Sequence, residues 1–168
     1  MSRPLAKRAM RVSRGGLDFL KRWEGLETRA YRDIANVLTI GYGHTQGFRD
    51  GRFDENSEIS AIEAETLLRE DLTPREERVN RVVEIDLHQN AFDALVSFEF
   101  NTGGLARSTA LRRLNAGNAV GAAEALTWWN KASLGDSKVV IPGLSRRRAA
   151  EANLFLTPPK RSISPSGR

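Results

Sequence analysis

The hydrophobic pattern of this chain changes period twice, which constrains its fold more than any other feature. Leu17, Leu20 and Trp23 recur at helical spacing, and Gly25 follows the last of them as a stop signal. From Ala30 the pattern turns to short alternating segments broken by Asn, Gly and Asp, which read as hairpins to about Asp54. Helical spacing returns at Ser60-Ala-Ile-Glu63, a capping box, and continues through Leu67, Leu68 and Leu72. A small β region is thus interposed in an otherwise helical chain. The implied architecture is α+β and mostly helical, with a β-containing lobe at about 30–59, a linking helix from about 60 and a helical lobe at about 84–157. A cleft between two lobes is the usual place for a ligand.

Several local signals refine this outline. Gly15-Gly16 separates a basic leader, residues 1–16, from the first helix. Pro74 either kinks the linking helix or restarts it with Thr73 as N-cap. In HQNAFDALVSFEFN, Phe92, Leu95, Val96 and Phe100 form one stripe that ends at Gly103-Gly104. Helices over Thr109–Leu114, Ala119–Trp129 and Arg146–Leu156 follow, with LGDSKVVIPG read as a loop. Pro158-Pro159 ends the last helix, and residues 158–168 read as a disordered basic tail, leaving 17–157 as the catalytic domain.

Charge and composition exclude several classes. The net charge of +5 comes from the ends: Arg3, Lys7, Arg8, Arg11 and Arg14 precede any acid, and Lys160, Arg161 and Arg168 close the chain. The segment between is net acidic, which argues against a folded face built for nucleic acid. The leader reads either as a short amphipathic helix at an anionic surface or as a flexible tail. No run approaches the roughly 18 apolar residues of a membrane span, and the start lacks the apolar core of a secretory signal. With no cysteine and two histidines, disulfides and thiol catalysis are out, and a zinc site is disfavoured.

The stretch WEGLETRAYRDIANVLTIGYGHT concentrates the chemistry. Glu24 stands at a helix C-terminus, where the dipole disfavours negative charge, beside Trp23 and Leu26; this favours a protonated acid, although a solvated glutamate is the ordinary occupant of such a position. A hairpin centred on Asn36 makes Asp33 and Thr39 direct cross-strand neighbours, with Asn36 at positive φ. Strand alternation then puts Thr39, Gly41 and Gly43 on one face and Ile40, Tyr42 and His44 on the other. One face carries a carboxylate, a hydroxyl and two bare backbone steps; a plain polar hairpin with twist-relieving glycines has the same pattern. Two carboxylates in different environments are what glycoside hydrolysis requires. His44 reads as structural, paired with Asp71, and His88 as a solvated helix start. Of Trp128 and Trp129 at most one faces a cleft, with core packing preferred, and Arg146-Arg147-Arg148 reads as a solvated helix start.

The order E-x8-D-x5-T followed by IGYGHT resembles the phage-type lysozyme (endolysin, muramidase) family, the matching residues being Glu24, Asp33, Thr39 and Ile40 to Thr45. QNAFDALVSFEFNTG, STALRRLNAG, AAEALTWWN and PGLSRRRAAEANLF are similar to family segments in the same order, so the resemblance spans roughly Leu17 to Leu156. It implies a lysozyme-like two-lobe fold around a cleft. It also implies cleavage of the β-1,4 bond between N-acetylmuramic acid and N-acetylglucosamine in peptidoglycan. Glu24 would be the general acid, Asp33 the general base or electrostatic stabiliser, and Thr39 the holder of the attacking water. Inversion is implied, with carboxyls about 6.5–9.5 Å apart. Gly43, Phe100 and Asn101 match saccharide-facing positions, and Arg147 matches an ion-pair partner of the acid. Asn36 departs from the family, standing where many members have glycine.

The resemblance further implies a monomer without cofactor, metal or specific nucleic-acid partner. The enzyme would wait in the host cytoplasm until a separate pore-forming protein permeabilises the membrane, then act in the periplasm. Residues 1–16 would meet an anionic outer-membrane surface. A lytic transglycosylase, a zinc amidase and a non-catalytic wall-binding protein are the competing classes.

Overall fold

The computed structural model describes residues 8–160. The first helix, α1, runs Arg14–Glu24, capped by Ser13, whose hydroxyl accepts the Gly16 amide at 3.0 Å. Gly15 and Gly16 therefore belong to the first turn rather than dividing leader from helix. The reason lies in packing. Asp93 also takes the Ser13 amide, and a Cβ on Gly16 would fall 2.4 Å from the Asp93 carboxyl carbon. Gly25, at φ +74°, stops the helix as expected.

The folded body also begins before Leu17. Met10 exchanges hydrogen bonds with Asn80, its amide reaching Oδ1 at 2.9 Å, and the Val12 amide donates to Glu76 at 2.8 Å. Val12 is buried, and residues 8–13 form neither helix nor strand. An amphipathic helix is thus not present over 8–13, where side chains of the linking helix take the Met10 and Val12 amides. The remainder of the expected leader, and residues 161–168 of the expected tail, lie outside the described residues.

Strands β1 (Glu27–Arg32) and β2 (Leu38–Gly41) form the antiparallel hairpin. Its register differs from the expected one. Thr39 lies opposite Tyr31, and Arg32 opposite Leu38. The Asp33 amide donates to Val37 at 3.0 Å and the Asn36 amide to Asp33 at 2.9 Å, closing a three-residue loop with Asn36 at φ 60°. That is a turn followed by a left-handed residue, a common three-residue hairpin connection, and it centres the hairpin on Ala35. Asp33 and Thr39 are diagonal neighbours instead of direct ones. They keep a common face, because the partner changed by two positions and side chains alternate with period two.

The expected alternation to His44 also fails. β2 ends at Gly41, φ 69°, and Ile40 and His44 exchange backbone hydrogen bonds at 3.0 and 2.9 Å around the intervening turn. Ile40, Tyr42 and His44 are buried together with Thr39. A short helix α2 (Gln46–Arg49) follows, and residues 57–59 lie against β1 through the Ala30 amide to Ser57 and the Ile59 amide to Thr28.

Helix α3 (Ala61–Val82) starts at the capping box: the Ser60 hydroxyl accepts the Glu63 amide at 3.2 Å, and Glu63 accepts the Ser60 amide at 2.7 Å. It runs unbroken through Pro74, so the helix does not restart there. Its 22 residues span about 33 Å and carry β2 on one end and α4 (Gln89–Thr102) along its length. α4 is buried at every position from Ala91 to Glu99, not on a single stripe, and it packs on α1, α3 and the C-terminal helix. His88 caps it, accepting the Ala91 amide at 3.2 Å, and Gly103 ends it in the left-handed conformation.

A 3-10 turn (Leu105–Arg107), α5 (Thr109–Asn115) and α6 (Ala119–Thr127) lead to a second hairpin, β3 (Lys131–Leu134) with β4 (Ser137–Val140), where a loop was expected. Gly135-Asp136, a two-residue hairpin turn pair, was the overlooked signal, and Gly135 has φ 59°. α7 (Pro142–Leu156) begins with Pro142 in its first turn, four residues before the expected start. Ile40, Tyr42 and Ile59 of the β region join one buried cluster with Leu68, Phe92 and Leu95, so the two lobes share a continuous core through α3.

Candidate active site

Glu24, the last residue of α1, projects toward α7. Arg147 donates Nη2 to Glu24 Oε1 at 2.7 Å, and both side chains are largely enclosed. Arg147 is itself held, its Nε donating to Glu151 Oε1 at 3.2 Å. Glu151 is fully buried and also accepts from Ser97 Oγ at 2.7 Å and Arg148 Nη2 at 3.0 Å. Arg148, equally buried, reaches Asn101 Oδ1 at 2.9 Å and lies over the Phe98 ring. Glu24 and Asn101 are therefore the two ends of one network of two guanidiniums and two carboxylates, formally neutral. Burial pushes the Glu151 carboxyl up, against Arg148, Ser97 and Arg147, and pushes the Arg148 guanidinium down, against Glu151. The reading of Arg146 to Arg148 as a solvated start is corrected for the last two. Ser97, Arg148 and Glu151 were missed, although Arg147 and Arg148 stand four and three residues before Glu151, the spacing of helical ion pairs.

Asp33 is positioned by its own loop. Oδ1 accepts the Ala35 and Val37 amides at 2.8 and 2.9 Å, while Oδ2 has no partner among the described residues. Thr39 is buried and its hydroxyl donates to the Val37 carbonyl at 3.0 Å. With its proton so engaged, the Thr39 oxygen is left as an acceptor. Tyr31 lies opposite Thr39. Burial, followed by the charges of Glu27, Asp33 and Glu24, pushes its hydroxyl up from the ordinary value. The sequence reading passed over this phenol, although its place two residues before Asp33 on the same strand face was an available signal.

Gly43 and Phe100 come together in a groove of about 550 Å³, with Thr45, Gln46 and residues of α3. Gly43 has φ 93°, a conformation side chains resist, and faces open space. Asn101 lies apart from that groove, in a depression of about 270 Å³ with Trp129 and Lys131. Trp129 packs edge-on against Phe98 at 5.4 Å, and Trp128 is half exposed under Arg113. His44 is buried, with Nδ1 2.9 Å from Asp71 and Nε2 accepting the Gly47 amide at 2.9 Å. The ring nitrogens are both engaged, so the neutral ring carries its proton on Nδ1, toward Asp71. Burial pushes the Asp71 carboxyl up, and His44 opposes the shift.

Comparison with known proteins identifies the family and the fold. The phage lysozyme family model matches residues 21–151. The chain is 40% identical over 155 residues to an endolysin of Salmonella phage P22, covering 88% of this chain and 99% of that one. It is 38% identical over 148 residues to an endolysin of Acyrthosiphon pisum secondary endosymbiont phage 1, covering 87% and 98%. The fold superposes on the muramidase domain of SpmX from Asticaccaulis excentricus with a TM-score of 0.81, at 41% identity over 88% of this chain and 99% of that domain.

Proposed function

The chain belongs to the phage lysozyme family and is a muramidase, a glycoside hydrolase, and from that premise we propose how it acts and on which bond. The substrate is peptidoglycan, cut at the β-1,4 bond between N-acetylmuramic acid and N-acetylglucosamine, for lysis of the host. Glu24 is the general acid that protonates the leaving oxygen. Asp33 is the base, and Thr39 positions the water. The observation that carries this reading is the asymmetry of the two acids. Glu24 is anchored at the end of α1 by Arg147, whereas Asp33 is fixed through Oδ1 and keeps Oδ2 free.

A water that donates one proton to Asp33 Oδ2 and the other to the Thr39 oxygen has its lone pair left for the anomeric carbon. As Glu24 protonates the glycosidic oxygen, that bond breaks and the water attacks from the opposite side, losing its proton to Asp33. The configuration inverts, which requires carboxyls about 6.5–9.5 Å apart to leave room for the water. Gly43 admits the sugar closely, Phe100 supports it, and Asn101 binds farther along.

Glu24→Gln is expected to reduce release of new reducing ends from purified peptidoglycan by at least about a hundredfold. Retained activity would reject Glu24 as the acid. NMR of the first product resolves the anomer, and 1,6-anhydro ends by mass spectrometry would replace the hydrolytic reading with a transglycosylase one.

Among the described residues no helix is long and apolar enough to cross a membrane. The enzyme accumulates in the host cytoplasm and reaches the periplasm when a separate pore-forming protein opens the membrane. Arg11 is paired with Glu76 at 2.8 Å and Arg14 with Asp18 at 3.5 Å, so contact with an anionic outer membrane falls chiefly to the other basic residues of 1–16.

A further inference from the structure

The groove containing Gly43 and Phe100 is walled by α3 through Glu70, Asp71, Pro74 and Arg75. Both acids on that wall are already engaged: Glu70 by Arg52 at 3.1 Å and Asp71 by His44 at 2.9 Å. Arg75 differs. Its side chain makes no hydrogen bond or ion pair with any described residue, and its Nε is shielded from solvent with no acceptor. An enclosed donor without a partner costs free energy, and a guanidinium matches a carboxylate in two parallel hydrogen bonds.

The residue before it adds an acceptor. Pro74 has no amide hydrogen, so the Glu70 carbonyl lacks its usual donor one turn on. A cation and a carbonyl deprived of its usual donor on one wall suit a ligand that presents a carboxylate together with a peptide N–H. In intact peptidoglycan the muramyl carboxyl is tied up in the amide that carries the stem peptide, so the sugars themselves offer no free carboxylate. Peptidoglycan offers both groups, in the acidic stem peptide attached to its muramyl residues.

We propose that Arg75 binds a carboxylate of the stem peptide, making this side of the groove a peptide subsite that favours peptide-bearing over bare glycan. The proposal rests on the peptidoglycan reading above. The carboxylate anchors the stem to the α3 wall, and the strand then continues over Gly43 and Phe100 toward the reacting acids. Because the contact is ionic and partly open to solvent, it weakens as salt rises.

The test compares wild type, Arg75→Gln and Arg75→Lys on two substrates: intact peptidoglycan, and glycan strands stripped of peptide by an amidase. For R75Q the ratio of kcat/KM on intact to stripped substrate is expected to fall about tenfold, mainly through KM, and R75K to restore most of it. A soluble acidic stem tripeptide should inhibit wild type about tenfold more strongly than R75Q. Equal loss on both substrates would mean that Arg75 does not read the stem peptide and would overturn the proposal, as would no loss on either or equal inhibition by the tripeptide. Thermal midpoints within about 2 °C of wild type exclude misfolding as the cause. Failure of the wild type to release reducing ends from either substrate would sink the hydrolase reading instead.

Discussion

At the scale of single residues, one hydrogen bond separates neighbours of similar polarity into different roles. Asp33 uses one oxygen to close its loop and Thr39 uses its proton to cap Val37, so each has one face left for a water. Thr39→Val keeps the shape, removes the acceptor and releases the Val37 carbonyl. It is expected to lower kcat about ten- to a hundredfold with KM little changed and stability reduced by about 1 kcal/mol. A KM increase at constant kcat would show that Thr39 binds sugar instead of water. Asn36 was legible as the left-handed residue because Asn tolerates positive φ. The register around it was not, since that depended on which backbone groups the Asp33 side chain would claim.

At the scale of elements, helix ends were read more reliably than strand pairing. The Ser60 box, the Gly25 stop and the Gly103 stop each depend on a few adjacent residues, and each appears in the structure. Ser60→Ala removes the acceptor of the Glu63 amide and should cost about 1 kcal/mol in urea unfolding, with a smaller loss in Glu63→Ala. No change in the midpoint would mean that α3 is held by packing alone. The β3–β4 hairpin was missed because all eight of its strand residues are exposed, so no buried face imprinted a strong alternation on the sequence. α4 misled in the opposite direction: it is enclosed all round, and polar Asp93, Ser97 and Glu99 are buried because partners arrive from other helices.

At the scale of the whole molecule, two links tie distant elements. The first joins the turn after β2 to α3 through His44 and Asp71. Burial raises the Asp71 carboxyl in the native state, so that state holds the proton more tightly than the unfolded chain. Its stabilising contribution is complete below the ordinary carboxylate range near pH 4 and is lost as pH rises through the raised value. Asp71→Asn should therefore gain stability relative to wild type as pH rises from about 3.5 to 7 in urea titrations, and a constant difference would refute the assignment. The second link is the Glu151 network between α4, α7 and Glu24. Glu151→Ala leaves two enclosed guanidiniums without their shared carboxylate and should cost roughly 3–5 kcal/mol in denaturant unfolding. A loss below about 1 kcal/mol would mean that water or Glu24 replaces it.

The sequence by itself determined most of the helical segments, the first hairpin and the caps at Ser60, Gly25 and Gly103, since these are written within a few positions of one another, and through the family resemblance it singled out Glu24, Asp33 and Thr39. Only the tertiary structure decided that Arg147, implied by the resemblance as a partner of Glu24, also joins Glu151, that Arg148 and Glu151 are buried, and that Asp33 lies diagonal to Thr39. Local propensity and periodicity act over one or two turns of chain. A buried ion pair or a strand register is chosen by whichever distant groups packing brings within about 3 Å, and that choice leaves little trace in either segment alone.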